Sequence, residues 1–445
     1  MPSNPAGVLL RVTVIGAGYV GLVTAACTAE WGHDVVCIDI DHARVEALRI
    51  AQTPIFEPGL DELVVHGLDS GRLHFASDYD AVAGSDVVFI AVGTPSEKDG
   101  QVDLSAVRAV AASLAPNLDE HTVVVVKSTV PVGTTQEIGE WLQAARPDLS
   151  IHVASNPEFL RQGAAVHDFM APDRVVIGAS DPTAEARLVD LYQSLQEAGT
   201  PVIATQIESA ELAKYASNAF LAIKLSFVNE IADLSEASGA NVADVTRIMG
   251  LDGRIGSSYL AAGPGFGGSC LPKDVQGLLH TSERFGAGST IAAAALGVND
   301  SRKHRMADKV EEAVGGPLAS TTIAILGLTF KAGTDDLRHS PAIELTDSLV
   351  ARGAAVRAHD PKGMPAAKSV LPPEVELCPD PMTALTGADA MVIATEWPEY
   401  AALDLTEVAA LLARPVVVDL RNLLDPVAVT GAGLSYASIG RAPAT

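Results

Sequence analysis

Cysteine is scarce in this chain. Its 445 residues hold four, Cys27, Cys37, Cys270 and Cys378, scattered and without a C-x-x-C pair. Neither a disulfide framework nor a zinc site is therefore expected, and a reducing compartment is. The eleven histidines form no metal-ligand cluster either. Aromatic residues make up only 4%, and 30 Lys plus Arg face 55 Asp plus Glu, a formal charge of −25. Such a surface repels nucleic acid and anionic membranes, so neither is an expected partner. No apolar run reaches the length of a membrane span. Met1–Gly7 carries neither the basic start nor the hydrophobic segment of a secretory signal, which makes the cytoplasm the expected location. If the ligand is anionic, the few basic residues must be gathered at its site.

The length predicts two or three domains. At 48% hydrophobic and 19% charged residues, the composition is that of a globular chain. Leu9–Ile15 is an apolar, β-branched run, followed by Gly16-Ala17-Gly18-Tyr19-Val20-Gly21, a helical stretch to Trp31, a strand over Asp34–Ile38, and Asp39. Strand, G-x-G-x-x-G, helix, strand, acid is the pattern of a dinucleotide site. The first two glycines permit the turn and the approach of a pyrophosphate to the helix N-terminus, and the third allows close helix–strand packing. Asp39 can accept from ribose hydroxyls and would repel a 2′-phosphate, which favours NAD over NADP.

Further apolar strands are expected at Asp86–Val92, Thr122–Lys127 and Ser150–Ala154, ending near Thr94, Thr129 and Glu158. Ligands lie beyond the carboxyl ends of such strands. Each threonine could equally be a helix N-cap, and Glu158 a solvated loop acid. Gln206–Ser238 reads as one long helix, with Lys214 and Asn218 four apart on one face. Glu211 reads as ordinary surface charge or as part of a buried connecting helix. Such an apolar helix can also supply a dimer interface. Helices are also expected over Asn241–Gly250 and from Ser289 towards Val314. Strands at Thr321–Leu326, Val356–Asp360, Ala388–Thr395 and Pro415–Leu420 suggest a second doubly wound domain without the glycine fingerprint. Lys331, Arg338 and Arg421 fall at its strand ends, either as surface basics or as an anion site.

Between these halves lies Gly265-Phe266-Gly267-Gly268-Ser269-Cys270-Leu271-Pro272-Lys273-Asp274. A cysteine behind a Gly-Gly turn is either a buried, inert thiol or a nucleophile favoured by a nearby cation.

Six motifs occur in order: the glycine fingerprint, Thr-Val-Pro-Val-Gly, Asn-Pro-Glu-Phe-Leu-Arg, Lys-Tyr-x-x-Asn, Gly-Gly-Ser-Cys-x-x-Lys-Asp, and Phe-Lys-x-x-Thr-Asp-Asp-x-Arg. In this the chain resembles the UDP-glucose/GDP-mannose dehydrogenase family of nucleotide-sugar 6-dehydrogenases, densely over residues 10 to 345 and loosely beyond. The resemblance implies oxidation of a sugar-nucleotide primary alcohol to a carboxylate with two NAD and no metal, in a homodimer joined through the central helix. It points to UDP-glucose as substrate, with GDP-mannose or a UDP-N-acetylhexosamine as alternatives. The expected fold class is α/β, two Rossmann-like doubly wound domains joined by a long central helix and a small helical dimerisation region. The implied boundaries are an NAD-binding domain over 1–204, a central domain over 205–316 carrying the cysteine loop, and a nucleotide-sugar domain over 317–445.

By motif position, the resemblance makes Cys270 the nucleophile. It implies that Lys214 and Asn218 stabilise oxyanions, and that Asp274 pairs with Lys214 and handles protons with a water held by Thr129. Glu158 would help activate water. Gly16, Gly18, Tyr19, Val20, Gly21, Asp39, Arg44, Thr94, Thr129, Lys273 and Arg338 would line NAD. Glu158, Phe159, Leu160, Lys214, Asn218, Lys224, Arg254, Tyr259, Phe266, Gly267, Lys331 and Arg421 would contact the nucleotide sugar, as would Arg338, and Arg254 would do so by reaching across the dimer. One departure stands out: many relatives have an acid where this chain has Gln162, and a neutral amide cannot serve as a base.

Overall fold

The computed structural model describes residues 8–97 and 100–441. Met1–Gly7, on which the expected absence of a leader rests, lie outside the described residues. The chain divides into two compact units. Unit one holds the residues up to Ser217 together with Gln276–Gly286; unit two holds Asn218–Val275 and the residues from Ala287 on.

Unit one is built on an eight-stranded sheet in the order β3-β2-β1-β4-β5-β6-β7-β8. Its strands are β1 (Arg11–Ile15), β2 (Asp34–Ile38), β3 (Leu73–Ala76), β4 (Val87–Ile90), β5 (Val123–Val126), β6 (His152–Ser155), β7 (Val175–Ala179) and β8 (Val202–Thr205). All adjacent pairs are parallel except β6–β7, which is antiparallel. The central strands β4 and β5 are continuous apolar runs because both faces are covered, whereas the edge strands β3 and β8 are partly exposed. Val12, Val14, Val35, Val87, Phe89 and Val123 enter one core layer, and Ile15, Val36, Ile38, Val88, Ile90 and Val124 the other. Each such fully buried side chain stabilises by about 1.5–3 kcal/mol. The strand order reverses between β1 and β4, so the loops after these two strands part and leave a crevice at their carboxyl ends. Helix α1 (Tyr19–Glu30) follows β1, and α2 (Thr134–Ala145) follows β5.

Unit two carries a six-stranded parallel sheet in the order β11-β10-β9-β12-β13-β14. These strands are β9 (Thr322–Leu326), β10 (Ala355–His359), β11 (Glu376–Leu377), β12 (Ala390–Ile393), β13 (Val416–Asp419) and β14 (Ser435–Ser438). Its order also reverses beside the first strand, so it is a second Rossmann-like sheet with its own crevice beyond β9 and β12. Two helical elements cross between the units. One is α3 (Ile207–Ser238), and the other is α5 (Leu271–Arg284); α4 (Val242–Gly250), α6 (Thr290–Val314) and α7 (Pro341–Ala351) belong to unit two.

The expected fold class holds: two Rossmann-like sheets and a long central helix. The apolar runs read as strands lie within a residue or three of those observed. Strands β3, β8, β11 and β14 were not anticipated, because they are short, or polar in part, or at a sheet edge; β7 was not anticipated either, although it is a buried apolar run. Among the described residues no helix is long and apolar enough to cross a membrane.

Candidate active site

In unit one the first crevice is organised by the turn after β1. Gly16 has φ +101°, and a Cβ on Gly21 would lie 1.8 Å from the Gly16 carbonyl oxygen, so only glycine fits at 21. Around Gly18, by contrast, a Cβ would meet nothing within 4 Å. Gly18 is the N-cap of α1, and no side chain caps that helix end. The result is an open cradle at the positive end of a helix, suited to an anionic group. Asp39 stands at the end of β2. Its carboxylate accepts from the Ala17 N–H at 2.8 Å, the Asp41 N–H at 2.9 Å and Arg44 Nη1 at 3.0 Å. Tyr19 donates its hydroxyl to the Phe56 carbonyl, and Val20 is half-buried. Beyond β4 and β5, Thr94 Oγ1 donates to the Thr129 carbonyl at 2.9 Å. Neither threonine is the N-cap of a helix, so the capping reading fails for both.

Behind this crevice sits a buried charge cluster. Lys214 Nζ lies 3.0 Å from Glu158 Oε1, with side chains only 4% and 6% exposed. Glu158 Oε2 accepts from the Leu160 N–H at 2.5 Å, and the Lys214 ammonium lies 5.4 Å from the Phe159 ring centre. Burial alone would raise the Glu158 pKa, but the charge of Lys214, the Leu160 N–H, the Lys214 hydrogen bond and the charge of Lys127 together hold it below the usual carboxylate value. Glu158 is thus not a solvated loop acid. Glu211 is likewise no surface charge: it is buried and accepts from the Gly133 and Thr135 N–H groups, capping α2.

Unit two presents the cysteine loop. Cys270 is partly exposed, whereas Cys27, Cys37 and Cys378 are buried, and burial raises the pKa of all three. Cys270 immediately precedes α5, and its carbonyl accepts the Asp274 N–H at 2.8 Å. A helix N-terminus favours a thiolate. Ser269 Oγ lies 3.6 Å from Cys270 Sγ. Arg338 grips Asp336 with two nitrogens; these hydrogen bonds, against burial, push its pKa up, with smaller contributions from Asp336, Cys270 and Asp335 through space. A positive guanidinium therefore stands in the field of the thiol. Asp274 is buried, accepts from Asn218 Nδ2 at 2.6 Å, and lies 2.7 Å from Lys273 Nζ, close enough for an ion pair but out of line for a hydrogen bond.

The loop before the cysteine is clamped. Asn299 on α6 holds Phe266 from both sides, accepting its N–H at 2.7 Å and donating to its carbonyl at 3.1 Å. The Gly268 N–H donates to the Arg338 carbonyl at 2.8 Å. A Cβ on Gly267 would lie 2.2 Å from the His339 carbonyl oxygen. His339 and Tyr259 both hold positive φ, at 52° and 61°, conformations that cost energy and collect at functional sites. Phe266 is buried, and its backbone N–H and carbonyl are both held by Asn299.

The predicted basic residues divide. Arg421, beyond β13, donates to the Ala394 carbonyl at 2.8 Å and the Phe330 carbonyl at 2.7 Å, strapping the loops after β9 and β12. It is therefore not loose surface charge. Lys331 is half-buried beside Phe330. Lys224 donates to the Ile255 carbonyl at 3.1 Å. Arg254 is 90% exposed and paired with Asp252. Asn299 and Lys127 were not singled out from sequence. A lysine closing an all-valine strand was a legible signal for the last; Asn299 carried none. Among the described residues no group of three or more His, Cys, Asp and Glu could hold a metal ion.

Comparison with known proteins agrees with this geometry. Residues 10–196 match the NAD binding domain of the UDP-glucose/GDP-mannose dehydrogenase family, 208–301 its central domain and 324–426 its UDP binding domain. The chain is 50% identical over 436 residues to the UDP-glucose 6-dehydrogenase of Rhizobium meliloti (strain 1021), covering 97% of this chain and 100% of that one. It is 43% identical to UDP-glucose 6-dehydrogenase TuaD of Bacillus subtilis (strain 168), over 97% and 93% of the two chains. A UDP-glucose dehydrogenase structure from Pyrobaculum islandicum superposes with a TM-score of 0.91 at 40% identity, over 98% and 99%. A UDP-D-ManNAc dehydrogenase from Pyrococcus horikoshii reaches 0.87 at 28%, over 97% and 99%. The open cradle at α1 and the Asp39 carboxylate fit the NAD that such a first domain binds, and with these matches spanning nearly every residue, the chain belongs to the UDP-glucose/GDP-mannose dehydrogenase family.

Proposed function

We propose that this enzyme oxidises the C6 alcohol of UDP-glucose to the carboxylate of UDP-glucuronate. In balance, the alcohol, one water and two NAD⁺ give the carboxylate, two NADH and three protons. The observation that carries the substrate assignment is the full-length 50% identity to the Rhizobium meliloti UDP-glucose 6-dehydrogenase. Gly16, Gly18, Tyr19, Val20, Gly21, Asp39, Arg44, Thr94, Thr129, Lys273 and Arg338 would hold NAD⁺, which would supply the hydride acceptor.

The chain's own residues do the rest. An aldehyde at C6 has no second hydride to lose readily until a nucleophile adds. The Cys270 sulfur forms a bond to that carbon, and the carbonyl oxygen takes a proton, giving a thiohemiacetal. After its oxidation the carbon is a thioester. Water then attacks; the C–S bond breaks, and the thiol is returned. The partly exposed thiol at the start of α5, in the field of Arg338, supports this role. Lys214 and Asn218, one turn apart on α3, are assigned to the oxyanions. Glu158, kept ionised by Lys214, is assigned to water activation, and Asp274, with Thr129, to proton handling. Phe159, Leu160, Lys224, Arg254, Tyr259, Phe266, Gly267 and Lys331 are assigned to the nucleotide sugar, with Arg421 shaping the loops that receive it. We assign the domains to 1–204, 205–316 and 317–445, and place the enzyme in the cytoplasm.

Pairing of two copies through α3 is part of this reading. Phe220, Phe227 and Leu234 recur every seven residues on that helix and are exposed, a stripe of the kind a partner helix covers. Light scattering of the purified protein at twice the monomer mass is the expected result; a monomer at micromolar concentration would refute it.

The function is tested by following NADH with UDP-glucose, GDP-mannose and UDP-N-acetylhexosamines in parallel. UDP-glucose should give the highest kcat/KM and two NADH per sugar. A higher kcat/KM for any other nucleotide sugar would overturn the substrate assignment.

A further inference from the structure

Lys127 is a buried ionisable group that the mechanism above leaves without a task. It closes β5, the all-valine strand, and is buried. Its ammonium donates to Asn156 Oδ1 at 2.9 Å and lies 5.4 Å and 5.6 Å from the Phe89 and Phe169 ring centres. An ammonium has three donors, and this one has a single hydrogen-bond acceptor among the described contacts. A buried cation so poorly supplied lowers stability. A methionine of similar length would pack there without that cost.

The geometry points from Lys127 to Glu158. Asn156 receives a second donor at the same oxygen, Tyr192 Oη at 2.6 Å. Its Nδ2 donates to the Val176 carbonyl at 2.8 Å, and its backbone N–H to the Val126 carbonyl at 2.9 Å. Asn156 is therefore pinned from β5, from β7 and from Tyr192. The next residue is Pro157, whose φ is fixed by its ring, and then comes Glu158. The charged groups that act on Lys127 are Glu158 from the same loop and Lys214 from α3; burial lowers its pKa to about 8, with Glu158 opposing and Lys214 reinforcing the shift. The influence is mutual, since Lys127 is among the cations that hold Glu158 ionised.

We propose that Lys127 is a positioning residue for Glu158: through Asn156 it fixes the Asn156-Pro157-Glu158 segment, and its charge keeps the Glu158 carboxylate ionised for the hydrolytic half of the reaction. The inference rests on the function proposed above.

The test uses full-length wild-type enzyme, Lys127→Met and Lys127→Gln. Steady-state NADH formation from UDP-glucose is measured as a function of pH, together with melting temperature. Gln keeps a hydrogen bond to Asn156 and loses the charge; Met loses both. The expected result is a kcat about tenfold lower in both variants, with KM for UDP-glucose within about twofold. The acid limb of kcat moves to higher pH, because the carboxylate has lost a cation. The melting temperature stays at or above the wild-type value. Wild-type kcat and acid limb in either soluble variant would overturn the proposal. So would failure of both to fold, which would make Lys127 a residue of the fold alone. A wild-type enzyme that makes no NADH from UDP-glucose counts against the proposed function only. Lys127 is then read from melting against pH, where loss of the cation should raise the pH at which the Glu158 contribution disappears.

Discussion

Replacing Lys214 by methionine leaves Glu158 buried without its ion partner. The pair is 3.0 Å apart and almost wholly out of solvent, so screening is weak, and breaking such a pair from one side costs about 3–5 kcal/mol. The cost depends on pH in a defined direction. In the wild type the folded-state pKa of Glu158 is depressed. Its contribution is present above the unfolded-state pKa and is lost as pH falls through the folded value. In Lys214→Met, burial is opposed only by the Leu160 N–H and Lys127, and the folded pKa rises above the unfolded one. The penalty is then small below the unfolded value and grows as pH rises towards the new folded value. At about 1.4 kcal/mol per pH unit, a loss of 3–5 kcal/mol corresponds to a change of some two to four units. Urea or thermal unfolding of both proteins should therefore show a gap that is small near about pH 4 and full near about pH 7. Adding Glu158→Gln should recover most of the loss, since the uncompensated charge is gone. A gap of constant size across this range, or no recovery in the double variant, would refute the reasoning.

Three further outcomes are expected. Cys270→Ser should fold normally and lose steady NADH production by at least about a thousandfold, because a hydroxyl without a base is a poor nucleophile; wild-type turnover would remove the thiol from the mechanism. Asp39→Ser should relax the preference for NAD over NADP by about 50-fold in kcat/KM, since it removes a like charge facing a 2′-phosphate and frees Arg44 to meet it; an unchanged ratio would show that Asp39 does not set cofactor choice. Gly267→Ala places a Cβ against the His339 carbonyl and should lower unfolding stability by about 1–3 kcal/mol or more, with activity falling alongside; an unaltered melting temperature would mean that the loop shifts freely.

Much of the fold was legible from local pattern. The valine-rich runs, the glycine fingerprint and the acid at 39 determine strand, turn, helix and strand because a buried parallel strand must be apolar on both faces and a pyrophosphate turn admits no Cβ. The alternation of such runs then implies a parallel sheet, and its repetition after residue 320 implies a second. The antiparallel turn of β7 against β6, and the edge strands β3, β11 and β14, were not legible. Pairing direction depends on where a chain returns in space, and short edge strands carry little apolar signal.

Site residues were named by type and order, and of their partners only Asp274, for Lys214, was named. Lys214 and Asn218 share a helical face by spacing alone, but that Lys214 neutralises Glu158, 56 residues earlier, and that Asn218 holds Asp274, 56 residues later, are facts of packing. Glu211 reads as surface charge or as part of a buried connecting helix, and only the fold sets it beneath the N-terminus of α2; Arg421 reads as surface charge or as part of an anion site, and only the fold shows it strapping two loops. What the sequence by itself determined is which chemical groups exist and which local conformations they permit, since these follow from covalent structure and periodicity. Only the tertiary structure decided which charges are buried and against whom, because desolvation and Coulomb attraction act through space and ignore the order of the chain.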